Sequence, residues 1–381
     1  MSVVALRADT EAAESARLTD YWDRMGPIAP LLRDDAVSEV MVNGHEIVCV
    51  ERNGRIERTG VQFTDEIQLL ETIQHIVGSV GRRIDADTPL CDARLTDGSR
   101  VNAVIRPLAV DGPLLTIRKF AADPLGVDDL IRFGTINQEI AALLRAAVLA
   151  KCNIVVSGGT GSGKTTLLNI LSSFIPDHER IVTIEDAAEL QLQQWHVCRL
   201  ESRQADAMGR GGVPIRQLVA NSLRMRPDRV VIGECRGPEA LDMLQAMNTG
   251  HSGSLTTLHA NSSRDALSRL ETLILMGDVE LPQRAIRQQI ASAVNLIVQV
   301  ERLRDGSRKV TAVTELLGLE ADMVTLQDAF VYVPESTDAE GKIRGTFRAS
   351  GIRPAILDKL AAAGVPVPAE LASVYPTRGG W

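Results

Sequence analysis

The chain has 381 residues, 45% hydrophobic and 24% charged, so it is globular and long enough for two or three domains, each with its own core. A formal charge of −8 argues against a surface built mainly to hold nucleic acid, and 3% aromatics leave few platforms for stacking bases. Five scattered cysteines (Cys49, Cys91, Cys152, Cys198 and Cys235) include no Cys-x-x-Cys pair, so neither a zinc site nor a disulfide framework is expected.

Residues 1–30 read as an alanine-rich, charged helical arm, broken at Gly26-Pro27. Asp9, Glu11, Glu14, Arg17, Asp20 and Asp23 are foreign to the apolar region of a signal peptide. No apolar run reaches the ~18 residues that span a bilayer, so a cytoplasmic chain is expected. Residues 31–120 read as a small α+β domain. Strands are predicted over 37–42, 47–52, 55–58, 101–105 and 114–117, with Asn53-Gly54 as a hairpin turn and a helix over 67–80. Residues 121–135, with Pro124, Gly126 and Gly134, read as a linker. From 136 to 381 a helix over 136–150 is followed by alternating apolar strands and helices. That is the pattern of a doubly wound, mainly parallel α/β sheet. After Gly341 only short mixed segments are expected, given Pro354, Pro366 and Pro368.

Residues 158–165 read Gly158-Gly159-Thr160-Gly161-Ser162-Gly163-Lys164-Thr165, the Gly-x4-Gly-Lys-Thr phosphate loop. Its glycines let several backbone N–H groups point inward, and the helix opening at Lys164, Thr165 and Thr166 offers its positive end to phosphate. Lys164 reaches the β and γ phosphates of ATP, and the Thr165 hydroxyl ligates Mg²⁺. Three more apolar or β-branched runs end in polar chemistry: 181–184 before Glu185-Asp186, 230–232 before Gly233-Glu234, and 255–258 before His259-Ala260-Asn261. Ligands of open α/β sheets sit at the carboxyl ends of the strands. If these four runs are parallel neighbours, Glu185, Glu234 and His259 face the bound γ phosphate. Carboxylates there hold Mg²⁺ or orient water, with Glu189 a further candidate, and His259 senses the γ phosphate or polarises water. His251 and His259 are too far apart along the chain for a metal pair. Arginines cluster at Arg82, Arg83, Arg94, Arg100, Arg106 and Arg118, and at Arg224, Arg226 and Arg229. A phosphate loop with no arginine of its own often takes one from a neighbouring domain or subunit. Arg118, with Arg94 or Arg100, is the first choice for that role.

Together these residues resemble the secretion and type IV filament assembly ATPases, and among them the CpaF-type ATPase of the tight-adherence (Tad/Flp) pilus. The matching stretches are 39–44, 92–102, the phosphate loop, Ile184-Glu185-Asp186, residues 223–240 and residues 249–261. The resemblance implies a RecA-like core, a hexameric ring with ATP between the two domains, and hydrolysis that drives an inner-membrane platform. The chain would then associate with the membrane peripherally, through partners, and no direct nucleic-acid contact is expected. By the same resemblance Glu234 matches the Walker B acid, Glu185 the catalytic Asp-box acid and His259 the His-box histidine. Gly233-Glu234 replaces the Asp-Glu of many such ATPases, and Arg106 stands where a proline is expected. The four-cysteine module of type II secretion ATPases is missing. A type IV secretion or conjugation traffic ATPase is the alternative function. A GTPase is disfavoured, as no Asn-Lys-x-Asp motif is present.

Overall fold

A computed structural model describes residues 24–52, 54–120, 125–203, 205, 210–277 and 280–375. Most of the predicted N-terminal arm lies outside the described residues. The chain divides into two compact units, residues 1–123 and 124–381.

In the first unit, α1 (Ala29–Arg33) leads into β1 (Val37–Asn43), β2 (Ile47–Arg52) and β3 (Arg55–Arg58), then α2 (Glu66–Ser79), β4 (Leu90–Arg94), β5 (Arg100–Val104) and β6 (Leu114–Arg118). The sheet order is β3-β2-β1-β6-β5-β4, with every pairing antiparallel. Alternate residues Val40, Val42, Val48, Val50, Val101, Leu115 and Ile117 are buried, as period-two patterning requires of a one-sided sheet. They pack with Leu69, Ile73, Ile76 and Val77 of α2, a helical stripe. Asp65 caps α2 by accepting the Gln68 N–H at 2.8 Å. Arg106 folds back at the end of the sheet, donating to Glu66 Oε1 (3.1 Å) and to the Val110 carbonyl (3.0 Å).

The second unit begins earlier than the predicted linker allows. Residues Val127–Arg132 form α3, and Leu130 and Ile136 belong to the unit's buried core. The Gly126 N–H is held by Asp129 Oδ2 at 2.8 Å, so a glycine that reads as a breaker starts a helix. α4 (Gln138–Leu149) precedes β7 (Ile154–Gly158) and α5 (Lys164–Ser173). Then come β8 (Ile181–Glu185), β9 (Val197–Glu201), α6 (Ile215–Ser222), β10 (Arg229–Cys235), α7 (Glu239–Asn248), β11 (Leu255–Leu258), α8 (Ser263–Leu275) and α9 (Gln283–Ala293). β12 (Leu296–Arg302), β13 (Arg308–Glu320), β14 (Met323–Thr337), β15 (Ile343–Ala349), α10 (Ile356–Ala362) and α11 (Ala369–Val374) complete it.

Its nine-stranded sheet runs β15-β14-β13-β12-β7-β11-β10-β8-β9. The six strands from β12 to β9 are parallel, and β13, β14 and β15 add on antiparallel. β7, β8 and β11 are buried at every position, as parallel strands covered on both faces are. Ile154 and Val156 face one core with α4 and α5; Val155 faces the other with α7, α8 and α9. This is the doubly wound α/β fold the sequence predicts. The long antiparallel extension is not in that prediction.

A buried charge network sets the non-ligand end of the sheet. Arg229 is fully buried and donates to Glu179 Oε2 (2.5 Å), the Val148 carbonyl (2.9 Å) and the Gly253 carbonyl (3.3 Å). A Cβ on Gly253 would meet the Arg229 guanidinium at 1.9 Å, so only glycine fits. Asn153 Oδ1 accepts the Gly253 and Ser254 N–H groups (2.7 and 3.0 Å), which ties the starts of β7 and β11 together. Arg229 therefore belongs to the core and is not the surface cation that an arginine just before a strand suggests.

Candidate nucleotide site

Gly158 closes β7 where parallel pairing sets it opposite Val300 of β12. A Cβ there would sit 2.2 Å from the Val300 carbonyl oxygen and 2.7 Å from Ser162 Oγ, so the tight turn demands glycine. Gly161 and Gly163 take positive φ angles of 70° and 98°, a region side chains avoid. α5 starts at Lys164, and its free N–H groups and dipole face the loop. Thr160 is exposed, whereas Thr165 and Thr166 lie half-buried in the first turn of α5.

Lys164 is 7% exposed, and its ammonium donates to the Gly159 carbonyl at 2.9 Å. Burial lowers its pKa, Glu234 works against that, and Arg236 adds to it. Ser162 converges on the same carbonyl through its hydroxyl (2.9 Å) and its N–H (3.4 Å). Three donors of the loop are thus turned onto one of its own acceptors.

β7, β11, β10 and β8 are adjacent parallel strands, so the four predicted strand ends do come to one edge. His259 follows β11 with Nε2 3.3 Å from Lys164 Nζ and 2.9 Å from Glu234 Oε1. The His259–Glu234 contact is within ion-pair distance but lacks hydrogen-bond geometry, and Glu234 Oε1 is buried without a hydrogen-bond partner among the described residues. Burial lowers the His259 pKa, opposed by Glu234. Lys164, His259 and Glu234 therefore form one contact chain.

Glu185 stands one strand further on. It packs against Gly233, where an added Cβ would lie 2.9 Å from its Cγ. Its Oε2 accepts the Glu189 and Leu190 N–H groups at 2.8 and 2.9 Å, while Oε1 is buried without a hydrogen-bond partner among the described residues. Burial raises its pKa to about 6 despite those two donors. Glu189 thus takes part through its backbone N–H.

Two features escape the sequence reading. Arg236 bridges acids of two strands, with Nη2 2.8 Å from Glu234 Oε2 and Nη1 3.6 Å from Asp186 Oδ2. The available signal is its spacing, two residues beyond Glu234 at a strand end. The phosphate loop also has arginines of its own unit beside it: Arg308 Nε donates to the Gly161 carbonyl at 3.1 Å. Asp305-Gly306 is a hairpin signal that, with an arginine at either end, marks the place.

Arg94, Arg100 and Arg118 lie in the first unit, in one cross-strand row. Arg94 pairs with Arg100, Arg100 with Arg118, and Arg118 with Glu39, which pairs with Glu51. Burial raises the pKa of Glu39; Arg118 works against that and Glu51 adds to it.

A phosphate loop between a buried parallel strand and a helix, with acids and a histidine at the neighbouring strand ends, defines a P-loop protein with a RecA-like core. The chain belongs to the Type II/IV secretion system protein family, whose profile matches residues 22–348. It is 36% identical to a type IV secretion system PtlH homolog of Bordetella bronchiseptica, over 72% of this chain and 88% of that protein. It is 34% identical to the conjugal transfer protein TrbB of Rhizobium radiobacter, over 75% of this chain and 86% of that one. In fold it is similar to the pilus retraction motor PilT solved with bound ADP, with a TM-score of 0.56, 19% identity, and 77% of this chain and 83% of that one covered.

Proposed function

We propose that this chain is a Mg²⁺-dependent ATP hydrolase that works as a homo-hexamer and powers assembly of Tad/Flp pili through inner-membrane platform proteins. The observation that carries hydrolysis is the Lys164–His259–Glu234 contact chain at the phosphate loop. The residues fit the ligand. The Ser162 and Lys164 donors converge inside the loop, and Glu185 and Glu234 each keep a buried carboxylate oxygen unsatisfied among the described residues. Mg²⁺ favours one or two protein oxygens plus substrate phosphates, which Thr165 and Glu234 supply. Bound Mg²⁺ offsets phosphate charge and fixes the phosphates for in-line attack.

In this reading Lys164 leaves the Gly159 carbonyl for the β and γ phosphates. The inward N–H groups of residues 159–166 bind phosphate oxygens. Glu185, its proton lost above a pH of about 6, orients or deprotonates the attacking water, and His259 reports the γ phosphate to Glu234. Arg94, Arg100 and Arg118 supply cations to a bound triphosphate.

The test is ATP turnover and nucleotide binding by purified protein, with Lys164→Ala alongside. Wild type is expected to bind and hydrolyse ATP, and Lys164→Ala to bind none. A wild type that does neither overturns the reading. The names of the relatives in conjugal transfer and type IV secretion favour a second reading, a traffic ATPase of such a system. Pilin and platform-protein genes beside this one support the first reading; transfer genes support the second.

A further inference from the structure

The β12–β13 hairpin overhangs the phosphate loop. β12 pairs with β7 as far as Val300 opposite Gly158, runs on to Arg302, turns over residues 303–307, and returns as β13 at Arg308. Arg302 and Arg308 are direct cross-strand partners. The turn is firmly built. Asp305 accepts the Ser307 hydroxyl (2.7 Å), the Ile343 N–H (2.9 Å) and the Ser307 N–H (3.0 Å).

From that platform both arginines reach the outer side of the loop. Arg308 Nε donates to the Gly161 carbonyl at 3.1 Å, and its Cδ lies 3.3 Å from where a Cβ on Gly163 would stand. Arg302 Nη1 lies 3.8 Å from the same point on Gly161. The peptide unit is planar and trans, so a Gly161 carbonyl held outward turns the Ser162 N–H to the opposite, inward side. Inside the loop that N–H, the Ser162 hydroxyl and Lys164 now share the Gly159 carbonyl. A triphosphate takes over these donors, and the outer bond keeps the peptide in place meanwhile.

We propose that Arg302 and Arg308 form a cation pair belonging to the nucleotide site of their own subunit. Arg308 is a positioning residue that holds the Gly161–Ser162 peptide with its N–H inward, and Arg302 supplies charge that attracts the phosphates. This rests on the nucleotide reading above and adds to it a cis contribution distinct from Arg94, Arg100 and Arg118.

The experiment titrates the full-length protein with fluorescent methylanthraniloyl ATP and ADP, and records the melting temperature without nucleotide. Wild type, Arg302→Ala, Arg302→Lys, Arg308→Ala and Arg308→Lys are compared. Each alanine variant is expected to raise Kd for ATP roughly tenfold, as loss of one charge-assisted contact does. The nucleotide-free melting temperature stays within about 2 °C of wild type. Lysine at 302 restores binding to within about threefold because a point charge suffices there; lysine at 308 restores less, lacking the planar fork. Added salt weakens Arg302→Ala binding less than it weakens wild type. Unchanged Kd in both alanine variants overturns the proposal. So does weaker binding that comes with a lowered melting temperature and no rescue by Arg302→Lys, which marks a purely structural role. If wild type binds no ATP analogue, or Lys164→Ala binds as well as wild type, the nucleotide reading itself falls. That result is separate from anything the arginine variants show.

Discussion

A buried carboxylate with one oxygen satisfied and one not is the most exposed weakness of the site. Glu185 titrates at about 6 in the fold, above its ordinary 4.5, because burial outweighs the two N–H groups on Oε2. The folded state therefore holds this proton more tightly than the unfolded chain does. Its contribution to stability is greatest below 4.5 and is lost as pH rises through about 6. Glu185→Gln keeps an acceptor for Glu189 and Leu190 and removes the buried charge. It is expected to stabilise the protein at pH 7 by up to about 2 kcal/mol, the equivalent of moving a carboxyl from 4.5 to about 6. Denaturant unfolding from pH 7 to 4.5 checks this: the gain should shrink steadily, and a gain that grows on acidification contradicts the account. If Glu185 also orients water, the same variant is inactive although more stable.

The sequence identifies Lys164, Glu234 and His259 because each follows an apolar run at a strand end. The rotation of Glu185 toward residues four and five positions on is set by its own loop's backbone, which no spacing reveals. The reach of Arg236 across to Asp186 is equally silent, and so is Arg308, since Arg308 and Gly161 are 147 residues apart.

Among elements, legibility follows burial. β7, β8, β10 and β11 show as apolar runs because both faces are covered. β4 and the edge strand β9 expose much of their length and carry no such signal. β13 and β14, at 13 and 15 residues, are stitched by antiparallel pairing that mixed-polarity sequence does not announce. The staple of Arg229 and Glu179 is likewise invisible in the chain, where both read as surface charges.

That staple makes a prediction at this scale. Removing one partner of a buried pair strands the other charge, at a cost of about 3–5 kcal/mol. Lys151, 3.6 Å from Glu179, offsets part of it. Arg229→Ala is therefore expected to destabilise by about 3 kcal/mol. Arg229→Ala combined with Glu179→Ala should cost less than the sum of the two single changes, because neither variant charge remains buried alone. Chemical denaturation of the three variants checks it, and strict additivity contradicts it.

For the whole molecule, membership of the Type II/IV secretion family and the RecA-like core agree with the site. No described helix is long and apolar enough to cross a membrane. Strand ends spread along the chain from Gly158 to His259 meet around one loop. The reading stands or falls on whether that meeting place binds and splits ATP. The most direct measurement is the pair of numbers for Glu234→Gln, its Kd for ATP and its kcat, against wild type. The account predicts Kd within a few-fold and kcat reduced by ~10²–10⁴, the contribution of a positioned catalytic group. Wild-type turnover from Glu234→Gln would contradict it.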